Sequence, residues 1–221
     1  MKLLVSGIFK FLCGIVLVGA AIFLPAGSLA YTGGWLFLGL LFIPMFAAGL
    51  VMYLKSPNFL AKRLDGKEKR KSQQGVIKFA GAMFLAGFVV AGLDYRFGWS
   101  EMPRAVTVIA SVLFLAAYGL YAEVMRENAY LSRTIKVEEG QKVVSTGLYG
   151  IVRHPMYMAT LLLFMVMPLV LGSWFALIPF AFYPVIIIVR LKDEEALLTR
   201  ELPGYAEYKE KVKYRLLPFI W

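Results

Sequence analysis

Two short polar stretches interrupt the apolar carboxyl-terminal half of this sequence, and both contain side chains suited to chemistry. The first, GLYGIVRHPMYMAT at residues 147–160, places Arg153 beside His154, the only histidine of the chain. Pro155 favours the first turn of a helix, where its missing N–H breaks no hydrogen bond. Free backbone N–H groups and two basic side chains at a helix start can hold a carboxylate or a phosphate.

The residues around this triplet allow a ligand to approach, although a plain structural interpretation also fits them. Gly147 and Gly150 allow the backbone to bend close to a bound group, and Tyr149 and Tyr157 can cover a ring or face a cation. A charged anchor at the membrane interface, preceded by a turn, explains the same residues without any function.

The second stretch, IIIVRLKDEEALL, contains Arg190 and Glu194 four residues apart, so they share one face of a continuing helix. Glu195 then points elsewhere, and Asp193 lies near the edge of that face. The plain interpretation is a salt bridge at a membrane surface, which stabilises little. The functional interpretation is that Arg190 grips an anionic group while Glu194 holds a polar or cationic one.

The elements that must position these residues are long apolar runs. The chain has 221 residues, of which 60% are hydrophobic. Four runs are each long enough, at roughly 1.5 Å per residue, to cross a hydrocarbon core of about 30 Å: 3–24, 33–54, 76–93 and 105–125. We interpret the first run as a retained helix rather than a signal peptide, because its apolar core is long and no clear cleavage site follows.

A fifth apolar run, 156–189, is too long for one crossing and is divided near Leu171-Gly172-Ser173-Trp174. It predicts a helical hairpin within the bilayer, whose two ends return His154 and Arg190 to the same interface. Ser56-Pro57 is expected to end the second helix and begin a polar loop. Beyond the break at Pro203-Gly204, Tyr205, Tyr208 and Val212 recur at helical spacing. This pattern predicts a short amphipathic helix against the cytoplasmic interface.

Basic residues indicate the orientation. Segments 55–75, 126–155 and 190–221 hold seven, five and seven Lys or Arg residues, whereas the connections on the other side hold only Arg96 and Arg104. The positive-inside rule therefore places the amino terminus, both long loops and the tail in the cytoplasm. This topology explains the net charge of +10 more simply than nucleic-acid binding does.

The sequence therefore predicts an all-α integral membrane protein, with about four transmembrane helices, a membrane hairpin and a cytoplasmic amphipathic carboxyl-terminal helix. We expect one domain over 1–221, in which 1–125 is a helical scaffold and 126–221 binds and catalyses. The single cysteine, Cys13, and the single histidine argue against a metal site built from Cys or His.

The motif GLYGIVRHPMY, an apolar run of hairpin length and then RLKDEEALLTRELPGYAEYKEKVKYRLLPFIW resemble the isoprenylcysteine carboxyl methyltransferase family. The resemblance covers roughly residues 126–221, and SPNFLAKR resembles bacterial members more loosely. It implies a membrane methyltransferase whose cofactor, S-adenosyl-L-methionine, is enclosed by the hairpin region and the tail. The bacterial resemblance favours a bacterial cytoplasmic membrane.

The resemblance also implies roles for individual residues. Arg190 would face the substrate and Glu194 the cofactor, and both are the candidate catalytic residues. A further set would bind the cofactor, the first four of them through the backbone: Gln141, Lys142, Val143, Val144, Tyr149, His154, Pro155, Met156 and Tyr157.

The expected partner is a lipophilic or lipidated acceptor that enters from the bilayer, beside membrane lipids, with neither nucleic acid nor metal. An acidic acceptor suits Arg190, because a cationic head group would be repelled. Three alternatives remain: a phospholipid-type N-methyltransferase with Glu194 as base, an NADPH-dependent reductase of the sterol type, and a non-catalytic membrane protein.

Overall fold

The structure is a computed structural model that describes residues 2–66, 68, 70–132 and 134–221. Four long apolar helices have the length and composition to cross a membrane, which confirms the predicted all-α membrane architecture. Each includes one of the predicted runs and extends it by a few residues: α1 (Lys2–Ala26), α2 (Thr32–Lys55), α4 (Lys71–Phe97) and α5 (Arg104–Glu127). The remaining helices are α3 (Pro57–Leu64), α6 (Pro155–Leu171), α7 (Leu177–Phe180), α8 (Tyr183–Glu201) and α9 (Tyr205–Lys211).

Aromatic side chains fill the centre of the bundle. The Phe37 ring lies 5.5 Å from that of Phe88 and 6.0 Å from that of Phe114, measured between ring centroids. Phe180, from the hairpin, lies 6.1 Å from Phe88, so the hairpin packs into the same core. Along the bundle, α1 packs against α4 and α5 against α6.

The division of the fifth apolar run lies where the sequence predicted it. Helix α6 ends at Leu171, and Gly172 adopts a left-handed conformation with φ of 80°, which an L residue with a side chain disfavours. The turn is fixed by Asp94, a buried carboxylate at the end of α4 that accepts hydrogen bonds from the Ser173 hydroxyl and the Ser100 N–H. The chain then returns through α7 and α8 to the level of the α6 start.

The expectation of a polar loop between α2 and α4 was wrong. A polar loop was expected after Ser56-Pro57, but Pro57 instead begins α3, whose Leu60 is buried. Proline at a first turn is already fixed in a helical φ, so it starts this helix rather than preventing it. Lys67 and Lys69 of the predicted basic segment, and Arg133 of the next one, lie outside the described residues.

The carboxyl-terminal amphipathic helix exists as α9, but its apolar side does not face outwards. Tyr205, Tyr208 and Val212 are buried against Leu198 and Leu202. The expectation that this side lies on the membrane interface was therefore wrong. Burial against the end of α8 removes the same apolar surface from water without needing a bilayer.

Candidate functional site

A cleft opens at the end of the bundle where α6 begins and α8 ends. It contains about 830 Å³ of empty space, part of it open to solvent, and we call it the polar cleft. Ten of the eleven residues singled out from the sequence line it: Gln141, Lys142, Val143, Val144, Tyr149, His154, Met156, Tyr157, Arg190 and Glu194. Pro155 is the exception, since it is buried at the first turn of α6 and does not line the cleft.

Tyr157 connects the two polar stretches that lie far apart in the sequence. Its hydroxyl donates a hydrogen bond to Glu194 Oε2 at 2.6 Å, and Arg190 also interacts with this hydroxyl. Arg190 and Glu194 share one face of α8, as their spacing predicted. The tyrosine therefore holds the two charged side chains at fixed positions on the cleft wall.

Three other tyrosines form an aromatic side of the cleft. Tyr149 lies in a short 3₁₀ turn, where its hydroxyl accepts a hydrogen bond from Asn128 Nδ2 at 2.9 Å. The Tyr208 hydroxyl donates to the Tyr149 carbonyl at 2.7 Å, which joins α9 to this turn. Burial raises the pKa of Tyr149 and Tyr208, so both phenols stay protonated at neutral pH.

The Tyr205 hydroxyl is a further polar group in this wall. It is buried and has no hydrogen-bond partner among the residues that the structure describes. Burial, and then the charges of Glu195 and Glu194, raise the pKa of this phenol. It therefore remains a hydrogen-bond donor for a polar atom of a bound molecule.

Arg153 does not add positive charge to the helix start as the sequence analysis expected, because a buried carboxylate neutralises it. Its Nε lies 2.6 Å from Glu195 Oε1, and both side chains are buried. Glu195 also accepts a hydrogen bond from Arg215 Nε at 3.0 Å. Its carboxylate thus binds two arginines, one from the start of α6 and one from the tail.

The charge state of Glu195 follows from these neighbours. Burial alone would raise the pKa of its carboxyl group, but His154 and Arg153 outweigh burial and lower the pKa to about 2. His154 Nε2 lies 3.4 Å from Glu195 Oε1 and makes no aligned hydrogen bond within the described part of the chain. The imidazole therefore lies between the cleft and the Glu195 carboxylate.

The tail is bonded directly to the Arg-His pair. The N–H groups of Arg153 and His154 donate to the carbonyls of Tyr214 and Arg215, both at 2.9 Å. The Arg153 side chain donates in addition to the Val212 carbonyl, also at 2.9 Å. These bonds hold the tail behind the start of α6, so the tail supports the cleft.

Gly147 leaves space for a contact within the protein rather than for the approach of a ligand. It has φ of 54°, and a Cβ there would lie 1.4 Å from Glu127 Oε1. The Glu127 carboxylate accepts the Leu148 N–H at 3.0 Å. The absent side chain allows the end of α5 to fix the turn that carries Tyr149.

A sequence model of the isoprenylcysteine carboxyl methyltransferase (ICMT) family matches residues 107–200. Over this stretch the chain matches the ICMT family. The match spans most of α5, the loop that lines the cleft, the hairpin and nearly all of α8. Together with the four membrane-length helices, it supports a membrane methyltransferase.

The ICMT match includes all eleven residues singled out from the sequence, but the structure adds lining residues that sequence reasoning missed. Some lie between α5 and the 3₁₀ turn, and others lie on α8, just after it or on α9: Asn128, Tyr130, Leu131, Ser132, Thr134, Ile135, Lys136, Leu198, Leu202, Tyr205 and Tyr208. Tyr205 and Tyr208 lie beyond the ICMT match. Their helical spacing was visible, but it was assigned to the membrane surface.

The basic segment before α4 supports the cleft from outside. The Glu68 carboxylate accepts the Ile135 N–H at 3.1 Å, and Lys62 Nζ lies 3.4 Å from Glu138 Oε2. Arg70 binds Asp193 at 2.7 Å. The basic residues of this segment indicated the orientation, and its side chains also hold the loop at 134–138 and the outer side of α8.

Proposed function

We propose that this member of the ICMT family uses S-adenosylmethionine to methylate the carboxylate of a lipophilic acceptor, such as an isoprenylcysteine-like group. One observation supports the proposal above others. Residues from two separate motifs, chosen from the sequence alone, line one cleft in which Arg190 and Glu194 both interact with Tyr157. Such convergence of charged and aromatic groups in a cleft is typical of a binding site.

The cleft has the groups that S-adenosylmethionine requires. Val143, Met156 and Leu198 offer apolar contacts for the adenine ring. The Glu194 carboxylate offers a negative charge to the sulfonium or amino group, and the buried Tyr205 hydroxyl is a donor without a described partner. These residues, with the backbone of 141–144, would hold the cofactor.

The residues of this chain then prepare the transfer. When bound, S-adenosylmethionine supplies an electrophilic methyl group on a sulfonium cation, and its transfer to a carboxylate converts two opposite charges into neutral products. A cleft wall that solvates charge weakly favours such a reaction over the same reaction in water. Arg190 orients the acceptor carboxylate through paired N–H donors. No general base is needed, because the acceptor is already ionised.

Tyr157 contributes position rather than proton transfer. Its hydrogen bond to Glu194 and its interaction with Arg190 fix the cofactor-facing and acceptor-facing groups relative to each other. Alignment of the reacting atoms supplies a large part of the rate in a methyl transfer of this kind. An amine acceptor would need a base such as Glu194, and its cationic form would be repelled by Arg190.

The same proposal assigns a role to each part of the chain and an orientation in the membrane. The cleft, the amino terminus, the basic loops and the tail lie on the cytoplasmic side of a bacterial cytoplasmic membrane, and 1–221 form one domain. The cofactor enters from the cytosol and the acceptor from the bilayer. Every described residue that lines the cleft lies between Asn128 and Tyr208, which supports 126–221 as the catalytic region and 1–125 as the scaffold.

The experiment combines purified protein in neutral detergent, methyl-labelled S-adenosylmethionine and a fractionated membrane lipid extract. We expect a labelled lipid fraction whose label is released by mild base, as a methyl ester requires. A base-stable label would indicate N-methylation and contradict a carboxylate acceptor.

Binding measurements separate the remaining alternatives. Calorimetry with S-adenosylhomocysteine should give saturable heat, and NADPH should give none. Binding of NADPH without S-adenosylhomocysteine would instead favour a reductase. The absence of a response to either ligand in folded protein would overturn the proposal.

A further inference from the structure

The outward face of α8 changes from apolar to basic along its length. Val185, Ile188 and Val189 are exposed, and Lys192 and Arg200 follow on the same side. Spacings of three or four residues, and of eight between Lys192 and Arg200, keep all five on one stripe of the helix. An apolar stripe of this kind suits contact with acyl chains, and the basic residues follow at the level where the helix leaves the apolar hairpin.

The basic part of this stripe forms one wall of a groove with α9 and the tail, which we call the basic groove. It contains about 790 Å³ of empty space that is largely open to solvent. Among the residues that the structure describes, four cations and one carboxylate line it, with two small residues between them: Lys192, Arg200, Lys209, Arg215, Glu195, Ala196 and Thr199.

The side chains of the groove are partly ordered by one another. Lys209 Nζ donates to Thr199 Oγ1 at 3.4 Å, which brings α9 and α8 together. Arg215 binds Glu195, and Arg200 binds the neighbouring Glu201. Because the Glu195 carboxylate is also bound by Arg153, it offsets only part of the positive charge in the groove.

We propose that the basic groove binds the phosphate of an anionic phospholipid. Two features together favour a lipid: a cluster of Lys and Arg, and direct continuity with the apolar stripe at Val185 and Val189. Basic pockets beside membrane helices attract anionic head groups in this way. A free phosphate would satisfy the cations but leave the apolar stripe without a role.

The groove is separate from the polar cleft. Arg190 and Glu194 line the cleft on one side of α8, whereas Lys192 and Thr199 line the groove on the other. The two sites are joined by Glu195, which binds Arg215 of the groove and Arg153 of the cleft, and by the hydrogen bond from the His154 N–H to the Arg215 carbonyl. Lipid binding is therefore testable without methyl transfer and does not depend on the proposed reaction.

The test measures binding of fluorescent phosphatidylglycerol, and of fluorescent phosphatidylcholine, to full-length protein in neutral detergent. We expect a preference for phosphatidylglycerol that the double variant Lys192→Ala/Lys209→Ala weakens about tenfold or more, since each basic residue attracts an anionic lipid by about a factor of five. Lys192→Arg/Lys209→Arg should retain it. The matched control is Lys55→Ala/Lys71→Ala, which removes two exposed lysines elsewhere.

Each outcome decides the proposal. Weaker binding in the groove variant alone supports it, and an equal loss in the control variant would show general charge attraction and overturn it. Full displacement of fluorescent phosphatidylglycerol by inorganic phosphate would assign the groove to a soluble anion and overturn the proposal of a lipid site. Unchanged binding by a folded groove variant would also overturn it.

Discussion

Arg153 and Glu195 form a buried ion pair, with Arg153 Nε 2.6 Å from Glu195 Oε1. The pair joins the start of α6 to α8, and the same guanidinium donates to the carbonyls of Val212 and Lys213 in the tail. Three segments that surround the polar cleft thus meet at one side chain. The pair neighbours His154 on one side and the basic groove on the other, so it determines the position of residues in both.

Glu195→Gln should destabilise the protein. The substitution keeps the size of the side chain but leaves the Arg153 charge buried without its carboxylate, which costs about 3 kcal/mol in comparable pairs. We expect a clearly lower melting temperature in neutral detergent. Glu201→Gln, which removes an exposed carboxylate paired with Arg200, should change the stability by well under 1 kcal/mol. Equal effects of the two variants would contradict a structural role for the buried pair.

The stability provided by Glu195 should depend on pH in a defined direction. Its carboxyl pKa is lowered from 4.5 to about 2 in the folded protein, so folding favours the ionised form. The contribution is complete above the unfolded pKa and is lost as pH falls towards the folded value. The difference in melting temperature between wild type and Glu195→Gln should stay constant above about pH 5 and shrink between about pH 4.5 and 2. A difference in melting temperature that grows as the pH falls would contradict a lowered pKa of Glu195.

The sequence predicted the helices and turns better than it predicted which side chains contact each other. The lengths of the apolar runs predicted the four long helices, Pro155 predicted the start of α6, and Gly172 predicted the turn. These predictions succeeded because hydrophobicity and backbone restrictions are local properties of the sequence. Partners across the hairpin are not local. Glu195 was expected to point away from the site, and no sequence spacing relates it to Arg153, which lies 42 residues earlier.

The tail illustrates the same limit. Tyr205 and Tyr208 had the periodicity of an amphipathic helix. Such periodicity indicates that one side of the helix is buried, but it does not identify the surface that buries it. In a membrane protein the bilayer and the protein interior are both apolar, so the pattern is the same for either. The burial of both tyrosines against Leu198 and Leu202, and the hydrogen bond from Tyr208 to the Tyr149 carbonyl, identify the protein as the partner.

His154→Ala should weaken binding of S-adenosylhomocysteine if the polar cleft holds the cofactor as proposed. The imidazole lines the cleft and packs beside the Tyr157 ring, with centroids 5.7 Å apart. Loss of this contact should raise the calorimetric Kd about tenfold. Arg126→Ala, at an exposed pair with Glu123 outside the cleft, should leave it unchanged. An unaltered Kd in folded His154→Ala would remove the histidine from the proposed cofactor site.

Arg190→Ala should separate acceptor binding from cofactor binding. If its guanidinium orients a carboxylate through paired donors, the variant should retain the Kd for S-adenosylhomocysteine within about threefold but lose about 100-fold or more in kcat/KM for the acceptor. Arg190→Lys should recover part of this loss, since it keeps the charge but not the planar pair of donors. Full turnover in the alanine variant would contradict the acceptor role, and equal losses in both steps would indicate a role in holding the cleft together.

Gly147→Ala should be more damaging than the same change at another glycine of the same conformation. Gly140 has φ of 69° and open space around it, whereas Gly147 has φ of 54° and lies against the Glu127 carboxylate. Alanine at either position strains the backbone by about 1–2 kcal/mol. At Gly147 it also displaces the Glu127 carboxylate from the Leu148 N–H, which adds about 1 kcal/mol or more.

We expect a lower melting temperature for Gly147→Ala than for Gly140→Ala, and weaker S-adenosylhomocysteine binding only for Gly147→Ala, because its turn positions Tyr149. A double-mutant cycle with Glu127→Ala provides the control. Without the Glu127 side chain, the effect of Gly147→Ala on stability should fall to that of Gly140→Ala, since only backbone strain remains. If Gly147→Ala stays equally damaging in the Glu127→Ala background, the clash with Glu127 is not the reason for glycine at this position.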